Sequence, residues 1–220
     1  QQCAGQTQNP CFTLLERHGF SDAVIHLQAS SDGDVQRVAN ECVLKCEILQ
    51  NVFAELQSDD CGTAAAAASR LRQSLQACAS DVVLSAALSA NVATTLVRHL
   101  PSSALSVGDD CAACLGLLAA CACKRRDATS GAAALAQMVQ LLYAAVFVES
   151  SGKAAVSNPF LSLLKSSGDS SLTVGVLHLL QGIVAAGQQQ CAGQTQNPCF
   201  TLLERQGFSD AVIHMQASSD

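Results

Sequence analysis

Apolar residues recur along much of the chain at three- and four-residue steps, which places them on one face of an α-helix. Residues 34–49 carry one such stripe, formed by Val35, Val38, Ala39, Cys42, Cys46 and Leu49. Residues 172–186 carry another, formed by Leu172, Val176, Leu179, Leu180 and Ile183. We therefore predict amphipathic helices whose apolar stripes are buried against neighbouring helices.

Capping and turn residues arrange these helices in a recurring order of two short helices and one long helix. Asn9-Pro10 is typical of a helix start and Gly19 of a helix end, which predicts a short helix over residues 11–18. Ser21 is expected to cap the next short helix, and Asp34 the long one. The order returns in residues 91–123 and 158–186, with weaker copies in residues 52–79 and 132–148. About five units, each of roughly 35–45 residues, fit one period, as in helical solenoids.

A second, longer repeat is nearly perfect. Residues 1–32 (copy 1) recur as residues 189–220 (copy 2), an offset of 188 positions. Only two of the 32 positions differ: His18 is replaced by Gln206, and Leu27 by Met215. We interpret residues 1–188 as one full tandem block and residues 189–220 as the start of the next, in an excerpt of a longer tandem-repeat protein. The alternative is an engineered or accidental duplication, which the conservative Leu-to-Met difference disfavours.

Copy 2 contains the two short helices of a new unit but not the long helix that follows them in copy 1. Units of a solenoid bury their apolar faces against each other, so a unit without its neighbour keeps one face uncovered. We therefore expect one apolar side of copy 2 to be exposed and the isolated chain to associate. The residues expected on that side are Phe200, Leu202, Leu203, Phe208, Val212 and Ile213.

Composition narrows the class of protein. Apolar residues make up 49% of the chain and aromatic residues only 4%, with no Trp, which favours thin, closely packed helices over sheets. The net charge of −6 disfavours a nucleic-acid partner. The opening residues do not resemble a secretory signal, and residues 131–148 contain Gln137 and Gln140, so no membrane span is expected. We predict an intracellular protein in the cytoplasm or on the cytoskeleton.

The twelve cysteines favour structural thiols over a metal or redox site. Cys111, Cys114 and Cys121 share one helix face, as do Cys42 and Cys46, and free cysteine on such a face behaves as a small apolar residue. No second cysteine pair with zinc-site spacing accompanies them. We predict free, largely buried thiols and no bound metal.

Other candidate chemistry is equally sparse. Asp59-Asp60 and Asp109-Asp110 are each interpreted as charges that precede and cap a long helix, and Lys124 as a charge that ends one. The chain contains no nucleotide-binding glycine motif, no nucleophile-elbow motif and no histidine pair with metal-site spacing. We therefore expect neither enzymatic activity nor a cofactor.

Residues 9–49 resemble an armadillo repeat. The resemblance rests on the Gly19 break, the apolar run of residues 23–25, the helix start at residues 34–36, and Ala39 with Val43. Residues 158–187 resemble a further copy. This resemblance implies an all-α, armadillo-like, right-handed α-solenoid with about five helical units per period, and a concave face that binds proteins.

The resemblance also indicates candidate binding positions. Armadillo proteins that clamp extended peptides carry a ladder of Asn residues on the long helices, often with Trp, but the matching positions here contain neither. The peptide clamp is therefore not expected. Polar residues at these positions are candidates to line a concave face, although solvated polar positions on an exposed helix surface are the alternative: Glu41, Lys45, Ser69, Gln73 and His178.

Two classes of function follow. Nearly identical blocks present identical surfaces at a constant spacing, which favours a structural scaffold along a filament such as a microtubule, for example in a cilium. Its partners would be neighbouring copies of the repeat and tubulin or another filament protein. Because helices pack about 8–10 Å apart, one block would advance on the order of 40–50 Å. The alternative is an adaptor that binds soluble proteins on its concave face, for which we would expect more divergent copies.

Overall fold

The computed structural model describes residues 14, 17–47, 51–58, 60–77, 84, 87, 91–100, 105–124, 128–145, 158–166, 168–190 and 197–217. All regular secondary structure in these residues is helical, which confirms the predicted all-α class. The helices are α1 (Phe20–Gln28), α2 (Gly33–Glu47), α3 (Phe53–Leu56), α4 (Cys61–Ala77), α5 (Val92–His99), α6 (Leu105–Lys124), α7 (Ala128–Tyr143), α8 (Asn158–Ser166), α9 (Ser170–Gln190), α10 (Pro198–Arg205) and α11 (Phe208–Ala217).

The Asn-Pro helix start and the glycine break are both confirmed in copy 2. The Asn197 side chain accepts a hydrogen bond from the backbone N–H of Cys199 at 3.0 Å, and Pro198 opens α10. Gly207 then adopts a left-handed φ of 89°, and Gly19 adopts φ 75° at the matching position of copy 1. Only glycine takes this conformation without strain, so it separates the short helices in both copies. Asn9-Pro10 lies outside the described residues.

Two predicted caps are wrong. Asp32, not Asp34, caps α2, because its Oδ1 accepts hydrogen bonds from the N–H groups of Asp34 (2.9 Å) and Val35 (3.3 Å). Ser21 does not cap α1, because that helix begins at Phe20 directly after the left-handed Gly19. The N–H of Ala23 donates to the carbonyl of Gly19 at 3.0 Å, so Ser21 already lies inside the first turn.

Helix α6 occupies the centre of the packed helices. It contacts α4, α5, α7, α8 and α9. Every residue from 111 to 122 is buried, and most are Ala, Cys or Gly, whose small side chains allow helices to approach from several directions. The predicted apolar stripe of α9 is confirmed, since none of its five residues is more than 3% exposed.

The backbones of α6 and α9 touch through glycines. A Cβ added to Gly175 of α9 would overlap the carbonyl oxygen of Gly116 and lie 2.9 Å from the backbone nitrogen of Ala120. A Cβ added to Gly116 would lie 2.7 Å from Cδ1 of Leu172. No larger residue fits at this crossing, which fixes α9 against the central helix.

The predicted apolar stripe of α2 is buried at only one of the positions whose burial the structure describes. Ala39 is 4% exposed, whereas Val35 is 36% and Val38 is 50% exposed. Among the described helices, α2 packs mainly against α1, so the rest of the stripe is left uncovered. Leu49 lies outside the described residues.

Candidate protein-binding surfaces

The five candidate polar residues lie on three helices, α2, α4 and α9, which make no major contact with one another among the described residues, and their grouping on one concave face stays a prediction. Ser69 and Gln73 are one turn apart on α4, so they share a face, and Gln73 is exposed. Glu41 lies on α2 and accepts a hydrogen bond from Arg37 of the same helix at 3.1 Å. His178 is half-buried on α9. Lys45 belongs to α2, but its side chain lies outside the described part of the structure.

Three of the four cysteines of α6 are buried as predicted, and the fourth, Cys123, is exposed. Cys111, Cys114 and Cys121 form no disulfide and are at most 5% exposed. Burial, followed by the charge of Asp110, raises the pKa of Cys111 to about 12. Burial also raises the pKa of Cys114, whose Sγ lies 3.5 Å from the carbonyl oxygen of Ala68 in α4. Cys111 and Cys114 therefore act as small packing groups, and only a very small fraction of either thiol is ionised at neutral pH.

The sequence predicts that the two cysteines of α2 are buried, but the structure buries neither of them fully. Cys42 is exposed and Cys46 is half-buried. Both cysteines lie on the apolar stripe of α2. Helix α1 alone does not cover this stripe, so a second neighbouring helix would be needed to bury it. The prediction fails at Cys42 because periodicity identifies an apolar face without saying whether a partner is present.

Asp109 and Asp110 lie inside α6 and do not precede it, so their interpretation as caps is wrong. Asp110 Oδ1 instead lies 2.9 Å from Nη1 of Arg72, which ties α6 to α4. Desolvation by burial and the charge of Asp110 raise the pKa of Asp109. Asp60, by contrast, caps α4 as predicted and accepts a hydrogen bond from the N–H of Thr63 at 2.8 Å. Asp59 lies outside the described residues.

No metal-site geometry occurs in the described part of the chain, which holds no group of three or more His, Cys, Asp or Glu side chains suited to a metal ion. His99 has a structural contact: its Nε2 lies 2.7 Å from the carbonyl oxygen of Leu56 and links α5 to α3. The absence of an enzyme activity and of a cofactor stays a prediction.

Within the described residues, one helix has the length and composition of a membrane span. It is α9, over Ser170–Gln189, rather than the region of residues 131–148 that is most apolar by inspection of the sequence. In this window 44% of the residues are buried inside the structure, against α6 and other helices. The expectation that the chain does not enter a membrane stays a prediction.

The two helices of copy 2 pack directly on the end of the first block. Helix α10 contacts α9, and α11 contacts α8. The Asn197 amide donates a hydrogen bond from Nδ2 to the carbonyl of Val184 at 2.7 Å, so the residue that caps α10 also holds it to α9. A Cβ added to Gly187 would overlap Sγ of Cys199, which shows how closely α9 and α10 approach. Sequence reasoning missed Gly187 and the second role of Asn197.

This packing corrects the expectation that copy 2 keeps one whole apolar side exposed. Leu203 is only 1% exposed, and Leu202 and Phe208 are partly buried against the core. Phe200 and Ile213 remain 45% and 62% exposed, and Val212 is half-buried. The expected exposure is therefore confirmed for Phe200 and Ile213, whereas the other four residues are buried or half-buried in the packing of copy 2.

The same sequence has a different environment in copy 1. Ala211 is fully buried against the first block, whereas its counterpart Ala23 is exposed. Met215 packs partly against the core, whereas its counterpart Leu27 is 47% exposed. The signal that could have located this interface is the repeat itself, because the same 32-residue segment occurs at both ends of the block.

Comparison with the known protein families gave no match, and a search of curated proteins gave no significant match either. The armadillo resemblance therefore stays a prediction from the residues that carry it.

Proposed function

We propose that this chain is part of a structural scaffold, an armadillo-like α-solenoid whose 188-residue blocks join end to end. The observation that carries the proposal is the packing of α10 and α11 on α9 and α8. The start of a second block thus adds to the end of the first by helix-on-helix contact. Such an addition can be repeated without limit, as in solenoid proteins whose units contact only their neighbours.

The order of the helix contacts supports a solenoid. The long helices α4 and α9 both pack against α6, and α9 in turn contacts α10 of the next unit. Between them, the shorter helices α8 and α11 contact each other in consecutive units. A right-handed superhelix of about five such units per block is the arrangement that we propose.

A filament such as a microtubule is the partner that we propose for the scaffold. Identical blocks place identical contacts at a constant interval, and an advance on the order of 40–50 Å per block is similar to the size of a tubulin subunit. The chain carries a net charge of −6, and a microtubule surface is also acidic. Binding must therefore depend on local contacts, and we expect added salt to weaken the overall repulsion between the two.

Cosedimentation with polymerised tubulin tests this proposal. We expect the chain to pellet with microtubules at 0.1 M salt and at least as well at about 0.3 M, where the Debye length is shorter. Actin filaments and unpolymerised tubulin are the controls. Electron images of decorated filaments should show an axial repeat on the order of 40–50 Å. Failure to pellet with either filament would contradict the scaffold and favour an adaptor that binds soluble proteins.

The adaptor alternative has one observation in its favour. Ser69 and Gln73 present two polar side chains on adjacent turns of α4, and Gln73 is exposed. Binding of a soluble partner on this face would be weakened by Gln73→Ala, whereas filament binding through another face would not. The same variant therefore separates the two functions.

A further inference from the structure

We propose that copy 1 carries a docking face for α8 and α9 of a second copy of this chain. The face consists of Leu14, Ala23 and Leu27, and we call it the copy-1 face. The inference rests on the proposed function only in that neighbouring copies are partners. Its occupant is defined by the chain itself, because copy 2 shows what the same face binds.

Comparison of the matching positions identifies the face. Leu14 is 57% exposed, whereas its counterpart Leu202 packs against the core. Ala23 is exposed and Ala211 is fully buried. In copy 2 these positions belong to α10 and α11, which contact α9 and α8. The copy-1 face is therefore the surface that fits the α8–α9 end of a block.

The remaining positions of the short helix show that the face is specific. Ile25 and Ile213 are 60% and 62% exposed, so neither neighbour covers this position. Val24 is 6% exposed against α2, whereas Val212 is half-buried, since no counterpart of α2 follows copy 2 among the described residues. The short helix thus has one side for α8 of the preceding block, one for the long helix that follows, and one that stays in solvent.

Docking between chains requires an exchange. The α8–α9 end of each chain already holds its own copy 2, so copy 1 of a second chain must displace α10 and α11. The interface that is broken and the interface that replaces it are nearly the same, because only positions 18 and 27 of the 32 differ between the copies. Such an exchange of equivalent segments is close to neutral in contact free energy but costs the entropy of association, so we expect it at high protein concentration or when the contacts of copy 2 are weakened, as in domain swapping. The association is head-to-tail, so it leaves a free copy-1 face for a further chain.

Matched substitutions in the two copies test the proposal in the full chain. Ala211→Arg places a charged side chain in the contact between α11 and α8, which should release copy 2 and open the α8–α9 end. We expect dimers and larger species in sedimentation velocity, with an apparent dissociation constant at least about tenfold below that of the wild type. Adding Ala23→Arg to this variant should restore the monomer. Ile213→Arg is the control and should behave as the wild type.

A labelled peptide keeps the test valid if Ala211→Arg fails to fold. A fluorescein-labelled peptide of residues 7–32 should bind the wild-type chain with slow kinetics, since copy 2 must first open. We expect the Ala23→Arg peptide to bind at least about tenfold more weakly and the Ile25→Arg peptide to bind as well as the unmodified one. An unlabelled peptide of residues 195–220 should compete.

Two results would overturn the inference: absence of peptide binding to the wild-type chain, or equal binding of the Ala23→Arg peptide. Association of the chain that survives Ala23→Arg would also contradict it, because another surface would then be responsible. None of these three results depends on tubulin. A chain that exchanges copies but does not pellet with filaments would contradict the proposed function alone.

Discussion

Burial determines the chemistry of individual cysteines in this protein. Cys111 and Cys114 lie in the run of α6 that is covered by several helices, whereas Cys42 and Cys61 are exposed. Thiolate is the reactive form of cysteine, so a raised pKa and the lack of access both slow alkylation. The four residues therefore provide an internal comparison of buried and exposed thiols.

We expect iodoacetamide at pH 8 to alkylate Cys42 and Cys61 at least about tenfold faster than Cys111 and Cys114. Peptide mass spectrometry of a time course would measure each site separately. In 6 M guanidinium chloride the four rates should become similar, which controls for local sequence effects. Rapid alkylation of Cys114 in the folded chain would contradict the central position of α6.

Asp109 and Asp110 are adjacent in sequence but should respond in opposite ways to neutralisation. The pKa of Asp109 is raised, so folding favours its protonated form, and stability falls as the pH rises from its unfolded pKa near 3.8 through the folded value. We expect Asp109→Asn to raise the free energy of unfolding at pH 7 by less than about 1 kcal/mol. Asp110→Asn removes the partner of Arg72 and should lower it by about 1 kcal/mol. Urea unfolding at pH 7 and pH 4 measures both effects, and the gain from Asp109→Asn should shrink at pH 4.

At the scale of helices, the sequence is informative where its signals are local. The unit predicted over residues 91–123 corresponds to α5 and the long helix α6, and the stripe of α9 is buried at all five positions. The Asn-Pro start of α10 is also correct. Each of these depends on a periodicity or a cap that residues a few positions apart define.

Apart from the caps of α1 and α2, which the sequence misplaces by two residues, the failures concern interactions with distant neighbours. The stripe of α2 is as regular as that of α9, but α2 packs mainly against α1 and leaves Val38 exposed. Asp110 looks like a capping charge until Arg72 of another helix is placed beside it. The candidate residues Ser69 and His178 follow from a family pattern, and no local signal indicates whether their helices present them to one surface.

The crossing of α6 and α9 gives a sharp test at this scale. Gly175→Ala would force a Cβ into the carbonyl of Gly116, so the two helices must separate. We expect the free energy of unfolding to fall by about 2–3 kcal/mol, the upper part of the usual range for overpacking, because the added Cβ meets backbone atoms. Gly62→Ala in α4 is the control, because its Cβ would meet only the Asp60 carboxylate at 3.4 Å or more. That variant should be neutral or stabilising by less than about 1 kcal/mol.

Across the whole molecule, burial is distributed unevenly between the two ends. The central helix α6 is covered along twelve consecutive residues, 111–122, whereas in α2 Ala39 is the one buried residue among those whose side chains the structure describes. Copy 2 is held to the block by Cys199, Leu203 and Ala211, all at most 1% exposed. In the solenoid that we propose, whose units would contact mainly their neighbours, stability need not be shared evenly between units.

We therefore expect hydrogen exchange to follow this distribution. Amides of α6 and α9 should exchange slowest, those of α10 and α11 at an intermediate rate, and those of α1 and α2 fastest, by at least about tenfold relative to α6. Mass spectrometry of peptic fragments measures the three groups in one experiment, and the nearly identical sequences of the two copies control for intrinsic exchange rates. Uniform protection would indicate a single cooperative unit and contradict the expectation. If the copy-1 face docks on a second chain, protection of α1 should rise with protein concentration towards that of α11, while protection of α6 stays constant. Such a concentration dependence would mean that α1 gains, from a second chain, the same neighbour that α11 has within its own chain, namely α8.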